Sequence, residues 1–227
     1  MKNVIFLLPL LAMLSCEDPD NPRGAKFNYR GCLECDHYSV GESFVVRGES
    51  YVVADRSILD AAISNGEDVT KYCTSKITSM DNLLLNQVSF NQDISTWDVS
   101  NVDDMNKMFK SAESFNYDVN RWDVQNVIDI SGMFFDARAF DKPLDNWDVG
   151  SANNMSSMFQ GAISFNQDIG DWDVGRAGNM SNMFYDAKLF NQDISGWCVP
   201  EIFSAPNGFS THSALTLSNN PVWGTCP

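Results

Sequence analysis

Five tryptophans stand at positions 97, 122, 147, 172 and 197 of this 227-residue chain, so the step is 122 − 97 = 25 residues and never varies. Phe90, Phe115, Phe140, Phe165 and Phe190 keep the same step, as do Phe109, Phe134, Phe159 and Phe184. Ala112, Ala137, Ala162 and Ala187 keep it too. A period of this length with fixed phase marks a chain built from stacked repeats, each too small to bury its apolar face alone. A first, degenerate copy starts at Ile77, where Ile77, Met80 and Leu83 match Val102, Met105 and Met108 while Leu84 stands for the phenylalanine.

Within a copy, Phe90, Ile94, Trp97 and Val99 form a β-prone stretch. Val102, Met105, Met108, Phe109 and Ala112 then follow at three- and four-residue spacing, which predicts a short helix or 3₁₀ turn. A strand and a short helical return in about 25 residues have the dimensions of a leucine-rich-repeat coil. The expected fold is an α/β solenoid of parallel strands with short helical or 3₁₀ returns over residues 77–199. A small α+β N-terminal cap over 26–76 and a C-terminal cap over 200–227 would close it.

Two ladders have alternative readings. The tryptophan row is either an exposed platform on which sugars stack or a buried spine. Asp98, Asp123, Asp148 and Asp173, with Asp93, Asp118, Asp168 and Asp193, either gather calcium or hydrogen-bond their own turns. The positions that change from copy to copy are the ones expected to face solvent and carry any partner specificity. One phase holds Lys110, Phe135, Gln160 and Tyr185; another includes Tyr117 and Lys142. These six residues are the candidate partner surface.

Residues 1–15 have the form of a signal peptide: Lys2 is followed by an apolar run, Val4 to Leu14, too short to span a bilayer as a helix. The end of that run, Leu11-Ala-Met-Leu-Ser-Cys16, resembles the lipobox of bacterial lipoproteins. The resemblance implies cleavage before Cys16 and lipidation of its thiol. Residues 16–25 then read as a tether, and acidic Glu17-Asp-Pro-Asp resembles the export signal of surface-exposed lipoproteins of the Bacteroidetes group.

In the cap, Ser43–Val46 and Tyr51–Val53 are β-prone runs joined through Arg47-Gly48-Glu49-Ser50, a hairpin pattern. Asp55 reads as the N-cap and Gly66 as the stop of a helix, Arg56 to Asn65. An exported chain favours disulfides. Cys198 and Cys226 bracket the last segment and are expected to pair. Cys73 is expected to pair with Cys35 or Cys32, leaving one thiol over. The competing reading is a zinc site from Cys32, Cys35, Cys73 and His37.

The formal net charge is −15, and residues 77–197 carry 18 acidic and 7 basic side chains, a difference of −11. That balance disfavours nucleic acid and anionic lipid as direct partners. Neither His37 nor His212 has a nucleophile at a recognisable spacing, and no phosphate-binding glycine loop is present. The expectation is a non-enzyme without cofactor or metal.

The motif Met-Phe-x-x-Ala-x-x-Phe-Asn-Gln-Asp-Ile-Ser-x-Trp-Asp-Val, clearest at Met158 to Val174 and Met183 to Val199, resembles the BspA-type leucine-rich-repeat surface proteins of bacteria. Asp141-Lys-Pro143 departs from its Asn-Gln-Asp element. The resemblance implies display at the cell surface, adhesion to a protein or glycan ligand, and no family-wide catalytic residues. The lipobox-like start and the acidic stretch after Cys16 add the expectation of a lipid anchor in a bacterial outer membrane. The alternative role is a structural envelope spacer with no specific ligand.

Overall fold

The computed structural model describes residue 21 and residues 23–227. The signal peptide and Cys16 lie outside the described residues.

Regular secondary structure is concentrated before residue 74. Strands β1 (Lys26–Phe27) and β2 (Leu33–Glu34) pair antiparallel, with Phe27 opposite Leu33. Strands β3 (Ser43–Val46) and β4 (Glu49–Val53) form a hairpin whose two-residue turn, Arg47-Gly48, has φ of 56° and 81°. Two left-handed residues in succession make the turn whose twist suits a tight hairpin, and glycine takes the second position without steric cost. Helix α1 (Arg56–Ser64) follows. The Asp55 carboxylate accepts the Ile58 N–H at its start. At its end Glu67 N–H donates to Ala62 and left-handed Gly66 to Ile63, a two-bond closure of the last turn. Its buried face is Leu59, Ala62 and Ile63. The chain then returns as β5 (Tyr72–Cys73), parallel to β4, completing a three-stranded sheet in the order β3-β4-β5. Cys35 is joined to Cys73 by a disulfide.

The expected leucine-rich-repeat-like α/β solenoid does not form. Among the described residues the two sheets, of two and three strands, and the single α-helix all precede the repeats, and residues 77–199 contain neither a strand nor a helix. The stretch Phe90 to Val99, read as a strand, is loop and turn. Parallel pairing between copies is reduced to one residue each: Ser79, Asp104, Asp129, Asn154 and Asn179 are bridged in succession. Those bridges fall inside the segment read as a helical return, not in the segment read as a strand.

The reason lies in where the N–H groups go. Within a copy, Met108 donates to Met105, Lys110 to Lys107 and Ala112 to Phe109, each closing a tight turn. The intervening N–H groups leave the copy: Met105 donates to Asp129, Lys107 to Ser131, Phe109 to Met133 and Ser111 to Phe135, at 2.7–2.9 Å. A helix would need all of them internally. Left-handed residues reset the chain between turns, at Lys107 and Ser111 (φ 55° and 59°) and at the same places in other copies. Apolar residues three apart are therefore the closing pair of a turn, not one face of a helix.

Aromatic side chains join the copies from within. Phe109, Phe134, Phe159 and Phe184 stack with ring centroids 5.3, 5.6 and 5.8 Å apart. Phe115, Phe140, Phe165 and Phe190 form a second stack at 5.9–6.0 Å. The five repeat tryptophans are buried, at most 4 % exposed, so the row is a spine and not a platform. Each indole N–H is satisfied by the preceding layer: Trp122 donates to Ile94, Trp147 to Val119, Trp172 to Leu144 and Trp197 to Ile169. Trp97 has no earlier copy and donates instead to Val69, which places the N-terminal region as the first layer.

Candidate binding surfaces

A surface that could vary its chemistry needs a backbone that does not depend on the side chains it displays. The row Lys110, Phe135, Gln160 and Tyr185 meets this condition. Each residue follows a buried phenylalanine, and each carbonyl accepts an N–H from the preceding copy, from Asn86, Ser111, Asp136 and Gly161 at 2.7–2.8 Å. All four side chains are half-buried. The Lys110 ammonium sits 4.4 Å from the centroid of the Phe135 ring, a cation–π contact across adjacent copies. Tyr185 meets the His212 ring edge-on at 5.4 Å. Beside it, the Lys188 ammonium and then His212 hold the Asp186 carboxyl below the ordinary carboxylate range.

Tyr117 and Lys142 occupy a different phase, shared with Gln92, Gln167 and Gln192. Those glutamines reach back one layer: Gln92 donates to the Glu67 carbonyl, Gln167 to the Asp141 carboxylate and Gln192 to the Asn166 carbonyl. Tyr117 and Lys142 replace that bond with an aromatic and a cationic group, and neither side chain hydrogen-bonds within the described residues. Tyr117 is 37 % exposed and Lys142 half-buried. The six sequence-chosen residues do not converge on one site. Lys110 and Phe135 share a polar groove with Asp104, Asn106, Asp129 and Ser131, which the other four do not line.

The aspartate rows serve their own turns. Asp93, Asp118, Asp168 and Asp193 accept the N–H two residues on, as do Asp98, Asp123, Asp148 and Asp173. Beside them runs a ladder in which Asn91, Asn116, Asp141, Asn166 and Asn191 each accept an N–H from the next layer, ending on Thr216. Asp141 keeps its rung although its neighbours depart from the motif. Among the described residues no three His, Cys, Asp or Glu side chains gather as a metal ion would require.

The cysteine alternatives resolve. Cys35–Cys73 and Cys198–Cys226 are disulfides, and Cys32 is the thiol left over. With Cys35 and Cys73 bonded to each other, the zinc reading has lost two of its ligands. Cys32 is buried, and burial, with Asp98 adding to it, pushes its pKa up to about 12. A thiol held neutral in this way is a poor nucleophile.

A second and wider groove, of about 790 Å³, lies where the N-terminal region meets the copies. Tyr29, Arg30 and Arg47 line it from one side, and Thr96, Arg121 and Asn146 from the other. Thr96, Arg121 and Asn146 share one phase of the 25-residue repeat, whereas no spacing relates Tyr29, Arg30 and Arg47 to them, so periodicity alone could assemble only one wall.

Searches of curated proteins and of solved structures return no significant match. A family does match, twice and with overlap, over residues 55–162 and 121–221. The two matches together take in α1, every repeat and most of the closing segment, and the chain belongs to the family described as Mycoplasma protein of unknown function, DUF285.

Proposed function

We propose that this protein is a surface-displayed lipoprotein of the BspA type, anchored in a bacterial outer membrane through Cys16 and acting as an adhesion module for a protein or glycan. The proposed role is non-catalytic. One observation carries the reading: backbone and interior repeat from copy to copy while Lys110, Phe135, Gln160 and Tyr185 differ on carbonyls fixed in the same way. A scaffold that holds its display positions rigid while their chemistry varies is suited to recognition. Tyr117 and Lys142 extend the argument: each gives up a bond between layers, Tyr117 for an aromatic group of the kind enriched at binding surfaces and Lys142 for a cationic one. The membership in DUF285 and the lipobox-like start support the same reading.

The test is made on intact cells. Protease shaving should remove the protein from wild-type cells, and Cys16→Ala should release it from the membrane fraction. Binding of the exposed protein to matrix proteins, glycans or cells should be saturable. Joint Tyr117→Ala and Lys142→Ala substitution should weaken it about tenfold or more, as for two central interface residues. A protein never cleaved on intact cells, or one with no saturable ligand, would leave a spacer role in its place.

A further inference from the structure

We propose that the groove between the N-terminal region and the first copies binds the carboxylates of an acidic saccharide. In a chain of net charge −15 it brings together three of the arginines, Arg30, Arg47 and Arg121. Among the described residues neither Arg47 nor Arg121 is within ion-pair distance of an acid, and Arg30 has only Asp123, at 4.0 Å. Two guanidinium groups without acidic partners on opposite walls of one groove suit carboxylates, which match the guanidinium fork with paired hydrogen bonds.

The positions of these groups are held by the fold. Arg47 is in the β3–β4 turn with its guanidinium 4.8 Å from the Phe27 ring centroid. Arg121 runs past Gly31, whose φ is +85° and where a Cβ would lie 3.1 Å from the arginine Nη1. Gly31 therefore supplies both the left-handed turn and the space that Arg121 crosses. The two walls are tied together beneath, where Leu33 N–H donates to the Thr96 carbonyl at 2.8 Å.

The remaining lining favours a sugar over a peptide. The Thr96 hydroxyl and the Asn146 amide have no hydrogen-bond partner among the described residues, which leaves both for ligand hydroxyls. Tyr29 is 89 % exposed, and Arg30 lies over its ring at 5.5 Å while its Nε donates to the phenol oxygen. The guanidinium holds the tyrosine side chain in place, and a flat aromatic face of this kind stacks on a pyranose ring. Phe27 is covered by Arg47, so the groove offers no open apolar pocket in which a peptide side chain would anchor. None of the six candidate partner residues lines this groove, so the inference stands apart from the surface-adhesion reading.

The experiment is calorimetric titration of the purified full-length protein in detergent with hexagalacturonate, a neutral galactose hexamer and hexaglutamate. Saturable binding of hexagalacturonate alone is expected. It should weaken about tenfold on raising salt from 50 to 500 mM, because exposed charges are screened. Arg47→Ala joined with Arg121→Ala should lower affinity at least tenfold, whereas Lys110→Ala should leave it unchanged. Thermal melting of the double variant, whose two side chains are exposed, checks that it folds. Equal affinity for the neutral hexamer would overturn the proposal. So would binding of hexaglutamate as tightly, an unaltered affinity in the folded double variant, or no binding of hexagalacturonate.

Discussion

Before residue 74 the chain is held by conventional means: a hairpin, a capped helix, a βαβ return and a disulfide that closes a loop across 38 residues. From residue 77 to 199 there is no hairpin, helix or βαβ return, and a disulfide enters only at Cys198. Each copy is closed by tight turns and joined to the next by four backbone bonds running forward, one or two running back, stacked rings and an indole N–H. The N-terminal region has its own small apolar cluster, around Leu33, Phe44, Tyr51 and Val53, bounded by the disulfide. The copies share one continuous core that runs from α1 to Phe209. The contrast teaches that a layer can be well buried without being a regular element, provided its polar groups find partners in the layer beside it. Side chains confirm this: among the described residues no buried side-chain nitrogen or oxygen lacks a partner.

The comparison can be broken at either end. Trp147→Ala should have the largest effect, because it opens a cavity in the middle of the stack and leaves the Val119 carbonyl without its donor. A cost of about 3–5 kcal/mol is expected for such a truncation, read as a lowered chemical-denaturation midpoint. Joint Cys35→Ser and Cys73→Ser should cost less, about 2–4 kcal/mol, and the loss should be local to the first region. All six tryptophans lie at or beyond residue 97 and four of six tyrosines precede residue 77, so tyrosine signals should melt early while tryptophan emission holds.

Acid should have the smallest effect and should also start in the first region. Asp55 is held below the ordinary carboxylate range chiefly by the Ile58 N–H, and Asp68 chiefly by the Thr70 hydroxyl. A carboxylate whose pKa falls on folding contributes stability above its unfolded value, near pH 4, and loses it as pH drops through the folded value. Tyrosine-monitored melting should therefore decline below about pH 4 before the tryptophan signal changes.

What could be read in the chain differs by region for the same physical reason. The hairpin and α1 were legible because their signals are local: Arg47-Gly48 for the turn, Asp55 for the cap and Gly66 for the stop. In the copies the period and the buried residues were legible, yet the local structure was misread. Met105, Met108, Phe109 and Ala112 have the spacing of a helical face, and the same spacing closes successive turns. Telling the two apart requires knowing that alternate N–H groups bond outside the copy, which depends on a neighbour 25 residues away. The left-handed positions offered a partial signal, since Gly132 and Gly161 stand in phase with Lys107 and Ser111. The arginine groove was half legible: Thr96, Arg121 and Asn146 share a phase, but the segment that crosses them does not repeat, so nothing in the chain pairs it with them.

The direction of the bonds between layers has a consequence for the ends. In the row of turns that begins at Met80 and at Met105, N–H groups run forward to the next copy, so there the first copy presents carbonyls that no copy precedes. At Ser79 and Asp81 the Arg56 guanidinium takes that place, with its nitrogens 3.3 and 2.8 Å from the two oxygens. At the far end Asn182, Phe184 and Asp186 donate to Asn207, Phe209 and Thr211 of the closing segment. Along this row of turns the two terminators thus address different chemistry, one supplying donors and the other acceptors, and neither recognises how many layers lie between. Gene-level gain or loss of a whole 25-residue unit leaves both junctions chemically unchanged, so the reach of the molecule is free to drift in evolution while its ends are not.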